Sequence, residues 1–261
     1  MPWSPRMTKT TIAHFTDTHL GQKLVTNSEI AGDKMRYDNA PKEHEDRLRL
    51  VLDDIAAKGI SSVVFGGDIG TAESVQSFFA LLKDYDFAVS VILGNHDDYA
   101  NVTQYWNASD NAVRGKLCFS RTYGDLKHIF LDSSDNILGE SQRAWLASEL
   151  DGVSKALLFV HHPILAIDTP VDRAGAALRD RDETMSLLLG IGCEVSVFCG
   201  HYHIIDDASD ANIRQFATPA TSYQIVKQSD ELQADVGTFG YRILHIDGSE
   251  IETEAVLLPR S

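Results

Sequence analysis

Nine residues of this chain carry groups that bind divalent ions or move protons, and all of them stand at the ends of apolar runs. Asp17 and His19 close residues 10–16, and Asp68 closes 62–65. Asn95, His96 and Asp97 follow 89–93, His161 follows 156–160, and His201 with His203 follows 195–199. A carboxylate or imidazole at the rim of a core is costly to desolvate unless it is partnered. Each group alone has an ordinary reading: Asp-x-His as a turn, Gly-Asp as a helix cap, His-x-His as a surface pair. Five groups at equivalent strand ends point to one site. Imidazoles and carboxylates without thiolates suit Fe, Mn, Co or Zn, and make Ca or Mg cages unsuitable. Seven such ligands are too many for one ion and fit two if one carboxylate bridges. Two ions about 3.5–4 Å apart can clamp a phosphate and activate the water between them.

The elements that must position these residues alternate. Residues 10–16 read as a first strand, and a long polar connection over 21–41 has the length of a functional loop or lid. A helix is expected from Pro41, capped by Asn39, with Leu48, Val51, Leu52 and Ile55 on one face and Gly59 after its end. A strand at 62–65, a helix carrying Val75, Phe78, Phe79 and Leu82, and the strand at 89–93 follow. Further strands are expected at 117–119, 128–131, 156–160 and 195–199, with helices around Trp145 and Leu188. The last sixty residues lose helical periodicity and read as a β-meander. The expectation is two packed sheets with helices outside. In open α/β sheets the ligand site lies beyond the carboxyl ends of the strands, so the five groups converge on one edge.

With 261 residues, 43% hydrophobic and 23% charged, the chain fits one domain over residues 10–261 behind a flexible lead-in over 1–9. No run approaches the roughly 20 apolar residues that span a bilayer, and the first ten residues do not form a signal peptide. Cys118, Cys193 and Cys199 are odd in number and lack C-x-x-C spacing, which suits buried free thiols and a cytoplasmic location. The 23 Lys and Arg against 38 Asp and Glu give a net charge of −15, a repulsive field for long nucleic acids. A small anionic substrate needs a local positive field, which two divalent ions would supply.

In order, Asp17-x-His19, Gly67-Asp68, Gly94-Asn95-His96-Asp97, His161 and Gly200-His201-x-His203 match the metal motifs of the calcineurin-like metallophosphoesterases, which the chain resembles from about residue 10 to 203. The resemblance implies a four-layer αββα sandwich, an α/β fold of two packed mixed β-sheets flanked by helices. It also implies two divalent transition-metal ions (Fe, Mn or Zn). Asp17, His19 and His203 would hold one ion; Asn95, His161 and His201 would hold the other, with Asp68 bridging. His96 is the implied non-ligand imidazole beside the phosphate, and Asp97 would orient it. Leu131-Asp132-Ser133-Ser134, His161-His162-Pro163 and the segment 218–223 resemble the class III cyclic nucleotide phosphodiesterase branch, which glycerophosphodiester hydrolases share.

The implied activity is hydrolysis of small phosphodiesters, 3′,5′-cyclic nucleotides first, glycerophosphodiesters second and phosphomonoesters third. The implied partner is a small phosphate ester, with no membrane and no long nucleic acid, and a homo-oligomer is compatible with the sequence. A scaffold that had lost catalysis would lack ligands or the non-ligand histidine, and here every position is filled. His14, His128 and His245 fall within strands as structural residues, and His162 is expected to point away from the site.

Overall fold

The computed structural model describes residues 9–25, 36–38 and 42–259. Most of the expected lead-in, and the expected cap and first-turn residues Asn39 and Pro41, lie outside this range. The chain opens with β1 (Lys9–Phe15), then β2 (Lys23–Val25) and β3 (Arg36–Asp38), which pair antiparallel inside the stretch read as a connection. Helix α1 (Glu43–Ala57) has no side-chain cap; Glu43, Glu45 and Asp46 set negative charge against the positive end of its dipole instead. Next come β4 (Ser62–Phe65), α2 (Ser74–Leu82), β5 (Ala88–Val91) and the single turn α3 (Tyr99–Val102). The middle of the chain forms β6 (Phe119–Tyr123), β7 (Leu126–Phe130), α4 (Glu140–Leu150), β8 (Lys155–Phe159), α5 (Pro170–Arg173), α6 (Arg181–Gly190) and β9 (Glu194–Cys199). It ends with β10 (Asp206–Asp210), β11 (Ile213–Ala217), β12 (Gln224–Ile225), β13 (Ala234–Asp235), β14 (Thr238–Asp247) and β15 (Glu250–Pro259).

Two mixed sheets result. One has the order β15-β14-β1-β4-β5, with β1, β4 and β5 parallel and β14 and β15 antiparallel. The other has the order β10-β11-β9-β8-β7-β6, parallel from β11 to β7 with antiparallel strands at both edges. Side chains on a strand alternate between faces, and the sequence uses both faces. Ala13, Phe15, Val63, Phe65 and Val91 pack under Leu48, Val51, Leu52 and Ile55 of α1 and Phe78 of α2. The intervening Ile12 and Val64 point the other way, onto Phe130, Leu157, Phe159 and Phe198 of the second sheet. The far face of that sheet packs Leu158, Val195 and Val197 against Leu146 and Leu150 of α4 and Leu188 of α6. The layers are therefore αββα, as the resemblance implies. Fully burying one such side chain contributes about 1.5–3 kcal/mol, so Leu52→Ala alone should cost about 2–5 kcal/mol.

Two expectations need correction. Residues 117 and 118 are not strand; β6 starts at Phe119, because its register is set by the hairpin with β7. The end of the chain is not a meander, since β11 joins the second sheet beside β9 while β14 and β15 complete the first. Strand β10, with sequence DDASD, has no apolar alternation because it is an edge strand facing solvent.

Candidate metal centre

Parallel strands β1, β4 and β5 bring Asp17 with His19, Asp68, and Asn95 with His96 to the carboxyl edge of one sheet. Strands β8 and β9 bring His161 and the pair His201 and His203 to the same edge of the other. Backbone bonds lock the edges together. Asp17 N–H donates to Gly67 O (2.9 Å), Gly200 N–H to His161 O (3.0 Å), and Thr221 N–H to Thr16 O (2.9 Å).

Five of the site residues occupy the left-handed region: Asp17 (φ 56°), His19 (44°), Asp68 (63°), His201 (67°) and His203 (51°). That conformation costs an L-residue about 1–2 kcal/mol. Its concentration at one sheet edge is where functional strain is expected. The turns at Gly67 and Gly94 meet backbone to backbone. A Cβ on Gly94 would overlap the Asp68 carboxylate and the His161 ring, and one on Gly67 would overlap Gly94 itself.

The donor atoms fall into groups whose members lie within 4.8 Å of one another: Asp17, His19 and His203; Asp68, His161 and His201; and His19, Asp68 and His96. His203 Nε2 stands 3.2 Å from Asp17 Oδ1 and 3.2 Å from His19 Nε2. His161 Nε2 stands 3.2 Å from Asp68 Oδ2. Each of the four ligand imidazoles is tied by its other nitrogen to an oxygen acceptor. His19 Nδ1 donates to Gln22 Oε1 (2.9 Å), His161 Nδ1 to Gly66 O (2.8 Å), His203 Nδ1 to Tyr223 O (2.9 Å) and His201 Nε2 to Ala176 O (2.8 Å). Such bonds fix the orientation of each ring and aim its other nitrogen inward, where it would ligate a metal once deprotonated. Asn95 Oδ1 is buried with no hydrogen-bond partner, and an unpaired buried polar atom costs about 1–3 kcal/mol. An orphaned amide oxygen among inward-facing imidazoles and carboxylates fits a pair of divalent ions.

Burial opposes the charged form of His161, but Asp68 and Asp17 outweigh it and raise the imidazole to about 10. Burial likewise works against the Asp68 carboxylate, yet His161, His96 and His19 hold it well below the usual carboxylate range. Burial lowers His19 to about 3 and His201 to about 4.

The family description "calcineurin-like phosphoesterase" matches residues 10–204, three quarters of the chain and every strand that bears a ligand. The chain belongs to the calcineurin-like phosphoesterases. Among relatives, a probable cyclic nucleotide phosphodiesterase of Pseudoalteromonas sp. is 28% identical over 95% of this chain and 93% of its own length. Another, of Fibrobacter succinogenes, is 30% identical over 64% of this chain and 67% of its own. A dimetal phosphatase of Danio rerio shares the fold, with a TM-score of 0.65 over 97% of this chain and 99% of its own at 13% identity. The phosphoesterase thus has the fold and the clustered metal-binding groups of its family. No helix among the described residues is long and apolar enough to cross a membrane.

All nine residues singled out in the sequence lie at this edge, and the Asp97 carboxylate, expected to orient His96, takes main-chain amides. Its Oδ2 accepts from Gly94 N–H (2.9 Å) and Asp68 N–H (2.8 Å), and its Oδ1 accepts from Ile69 N–H (2.9 Å). Asp97 clamps the two glycine turns, so it holds Asp68 in place. Burial first, and then the nearby Asp68, push its carboxyl up to about 7 against the pull of those amides. The buried ring of His162 packs with its centroid 4.2 Å from that of His201, held by Ser133 Oγ (2.8 Å) and Asn136 Oδ1 (3.2 Å), so it backs a ligand without being one of the nine.

Other contributors were missed. The Tyr223 ring covers His203 at 4.4 Å, Gln22 sets the tautomer of His19, and His44 donates to His19 O (2.7 Å). The segment 218–223 carried a family signal for Tyr223; His44 and Gln22 had none beyond their polarity. A cavity of about 270 Å³ opens over the centre, floored by His19, Asp68, Asn95, His96, His201 and His203 and walled by Val171, Ala174, Ala176 and Leu232.

Proposed function

We propose that this phosphoesterase is a dinuclear metal-dependent phosphodiesterase of small diesters, with 3′,5′-cyclic nucleotides as its preferred substrates. The observation that carries the reading is the position of Asp68, whose carboxylate lies in the same donor group as His161 and His201 and in another with His19. In this reading Asp17, His19 and His203 hold one ion, Asn95, His161 and His201 hold the second, and Asp68 serves both. When bound, the ions bind phosphate oxygens, stabilise developing negative charge and lower the pKa of water.

The chain's own residues do the rest. Asp97 fixes Asp68 through its backbone amide, and the four carbonyl and amide oxygens keep each imidazole in the tautomer that can ligate. His96 N–H donates to Asp68 Oδ1 (2.9 Å), which sets its main chain beside the centre while its ring lines the cavity. From there the His96 ring gives its proton to the departing alkoxide oxygen. Among the described residues no Lys or Arg lines the cavity, so none of these supplies a fixed cation to hold additional phosphates. That favours a single phosphodiester over polyphosphates and, with the net charge of −15, over long nucleic acids.

The choice of cyclic nucleotide is supported by the names of the two bacterial relatives. Three buried unpaired thiols fit a reducing, cytoplasmic setting. Mn-reconstituted protein should be assayed with cyclic AMP, a glycerophosphodiester, bis(p-nitrophenyl) phosphate and p-nitrophenyl phosphate. Cyclic AMP should give the highest kcat/KM. A dominant glycerophosphodiester would move the substrate, and a dominant monoester would overturn the diesterase reading.

A further inference from the structure

The floor of the cavity is polar and the wall above it is not. Val171 and Ala174 come from α5 and its end, Ala176 follows, and Leu232 reaches over from the loop between β12 and β13. None of these side chains can donate or accept a hydrogen bond. The wall is built firmly onto the metal centre. Asp172 accepts from Arg181 Nη1 (2.7 Å) and from the hydroxyl of Tyr202 (3.0 Å), the residue between the two ligands His201 and His203. Ala176 O takes the Nε2 proton of His201. Arg173 Nη2 donates to Ser229 O (2.7 Å), which fastens the Leu232 loop to the same segment. An apolar wall running from buried Val171 through part-buried Ala176 and Leu232 to exposed Ala174, fixed beside a phosphate-binding floor, asks for a ligand with an apolar face next to its phosphate.

We infer that Val171, Ala174, Ala176 and Leu232 form a subsite for the organic group esterified to phosphorus, which takes the flat face of a nucleobase or aryl ring without reading its edge. This rests on the phosphodiesterase reading above and adds two consequences to it. An aromatic ring gains from the wall by area burial, about 25 cal/mol per Å², whereas a glycerol chain loses hydration there without replacement bonds. Among the described residues the wall also offers no hydrogen-bonding side chain with which to reject one base in favour of another. Sites that hydrogen-bond a substrate reject analogues by about 10⁴–10⁵-fold, while apolar pockets manage only about 10–200-fold. Adenine, guanine and cytosine cyclic nucleotides are therefore turned over at similar kcat/KM. At about 270 Å³ the cavity falls just below the roughly 300–1,000 Å³ of drug-sized ligand sites, which suits one nucleoside and no more.

The test compares Mn-loaded full-length protein with Leu232→Ala and Leu232→Gln, since Leu232 is only partly buried and its loss should spare the core. Cyclic AMP, cyclic GMP, cyclic CMP and glycerophosphoethanolamine are the substrates, and melting temperature and metal content are measured alongside. Calorimetric titration of AMP and of glycerol 3-phosphate gives a readout apart from turnover. The expected results are cyclic nucleotide kcat/KM values within about tenfold of one another. In both variants the preference for cyclic AMP over the glycerophosphodiester should fall by about tenfold, with a matching selective loss of AMP affinity. Equal losses for every ligand, or a preference for one base above about 200-fold, would overturn the subsite while leaving the diesterase reading intact. Absence of any diester hydrolysis by the metal-loaded protein would bring down both.

Discussion

Two hollows among the described residues differ sharply in character. One, of about 680 Å³, lies where α4 and α6 end, lined by Ala147, Ser148, residues 150–153 and residues 190–193. The other, of about 270 Å³, lies over the metal-binding groups. The larger is a gap between two helix ends whose carbonyls are already used: Asn212 Nδ2 donates to Leu188 O, Ile191 O and Cys193 O at 2.6–3.1 Å. The smaller contains left-handed residues, an orphaned amide oxygen and imidazoles with one nitrogen tied and the other facing inward. Volume therefore does not find the site here. What marks the smaller one is the convergence of three donor groups, each within 4.8 Å, beside the unpartnered Asn95 Oδ1.

The strongest attack on this contrast is Asp68→Ala, which removes the carboxylate placed between the two groups of ligands. Loss of several kcal/mol of charge stabilisation should lower kcat/KM by about 10³-fold or more, with loss of bound metal by elemental analysis. Near-normal activity would mean the smaller cavity is not the site. His96→Ala should lower turnover by about 10²–10⁴-fold while metal content stays close to that of the unsubstituted protein. The closeness of His96 to both His19 and Asp68 makes this informative, for a fall in metal content would show that His96 is itself a ligand.

Metal uptake should also release protons. The raised His161, at about 10, is protonated in the metal-free site at pH 7–8 and must deprotonate to ligate. Affinity should thus rise with pH, by up to about tenfold per unit for one proton released, and level off above about pH 10. Calorimetry in buffers of differing ionisation enthalpy would count the protons; a count of zero would show that His161 is neutral before the metal arrives.

Asp97→Asn tests whether that residue is a clamp or an orienter of His96. The new amide nitrogen would face a backbone N–H, leaving at least one buried donor unpaired at a cost of about 1–3 kcal/mol. For a chain of this size each kcal/mol corresponds to about 2–4 °C in Tm. Reduced turnover with an unchanged Tm would restore the orienting role. The smallest effect belongs to the other hollow: Asp151→Asn should alter stability by no more than about 0.5 kcal/mol and leave turnover unchanged.

The strand ends were legible because an apolar run that stops at Asp, Asn or His reports both the strand and the chemistry that follows it. Residues 62–65 and 156–160 needed no long-range information to be read. The last third of the chain was not legible in the same way. Strand β11 lies beside β9 and β14 beside β1, and such pairings depend on partners far away in sequence, not on local alternation. The main-chain bonds of Asp97 were not legible for a related reason. A carboxylate next to a functional histidine suggests a side-chain pair, yet its oxygens accept from Gly94 N–H in its own turn and from Asp68 and Ile69 N–H in one distant turn.

Residue types and their order determined the metal-binding chemistry, the family and the layered fold, because ligand preference and strand burial are properties of side chains. The tertiary structure decided which oxygens fix each imidazole, what Asp97 holds, and where Val171 and Leu232 stand. Gly66, Ala176 and Tyr223 act at the centre through main-chain carbonyls, which every residue possesses and no sequence can single out. Val171 and Leu232 look like any other apolar residues until the backbone sets them over the phosphate site.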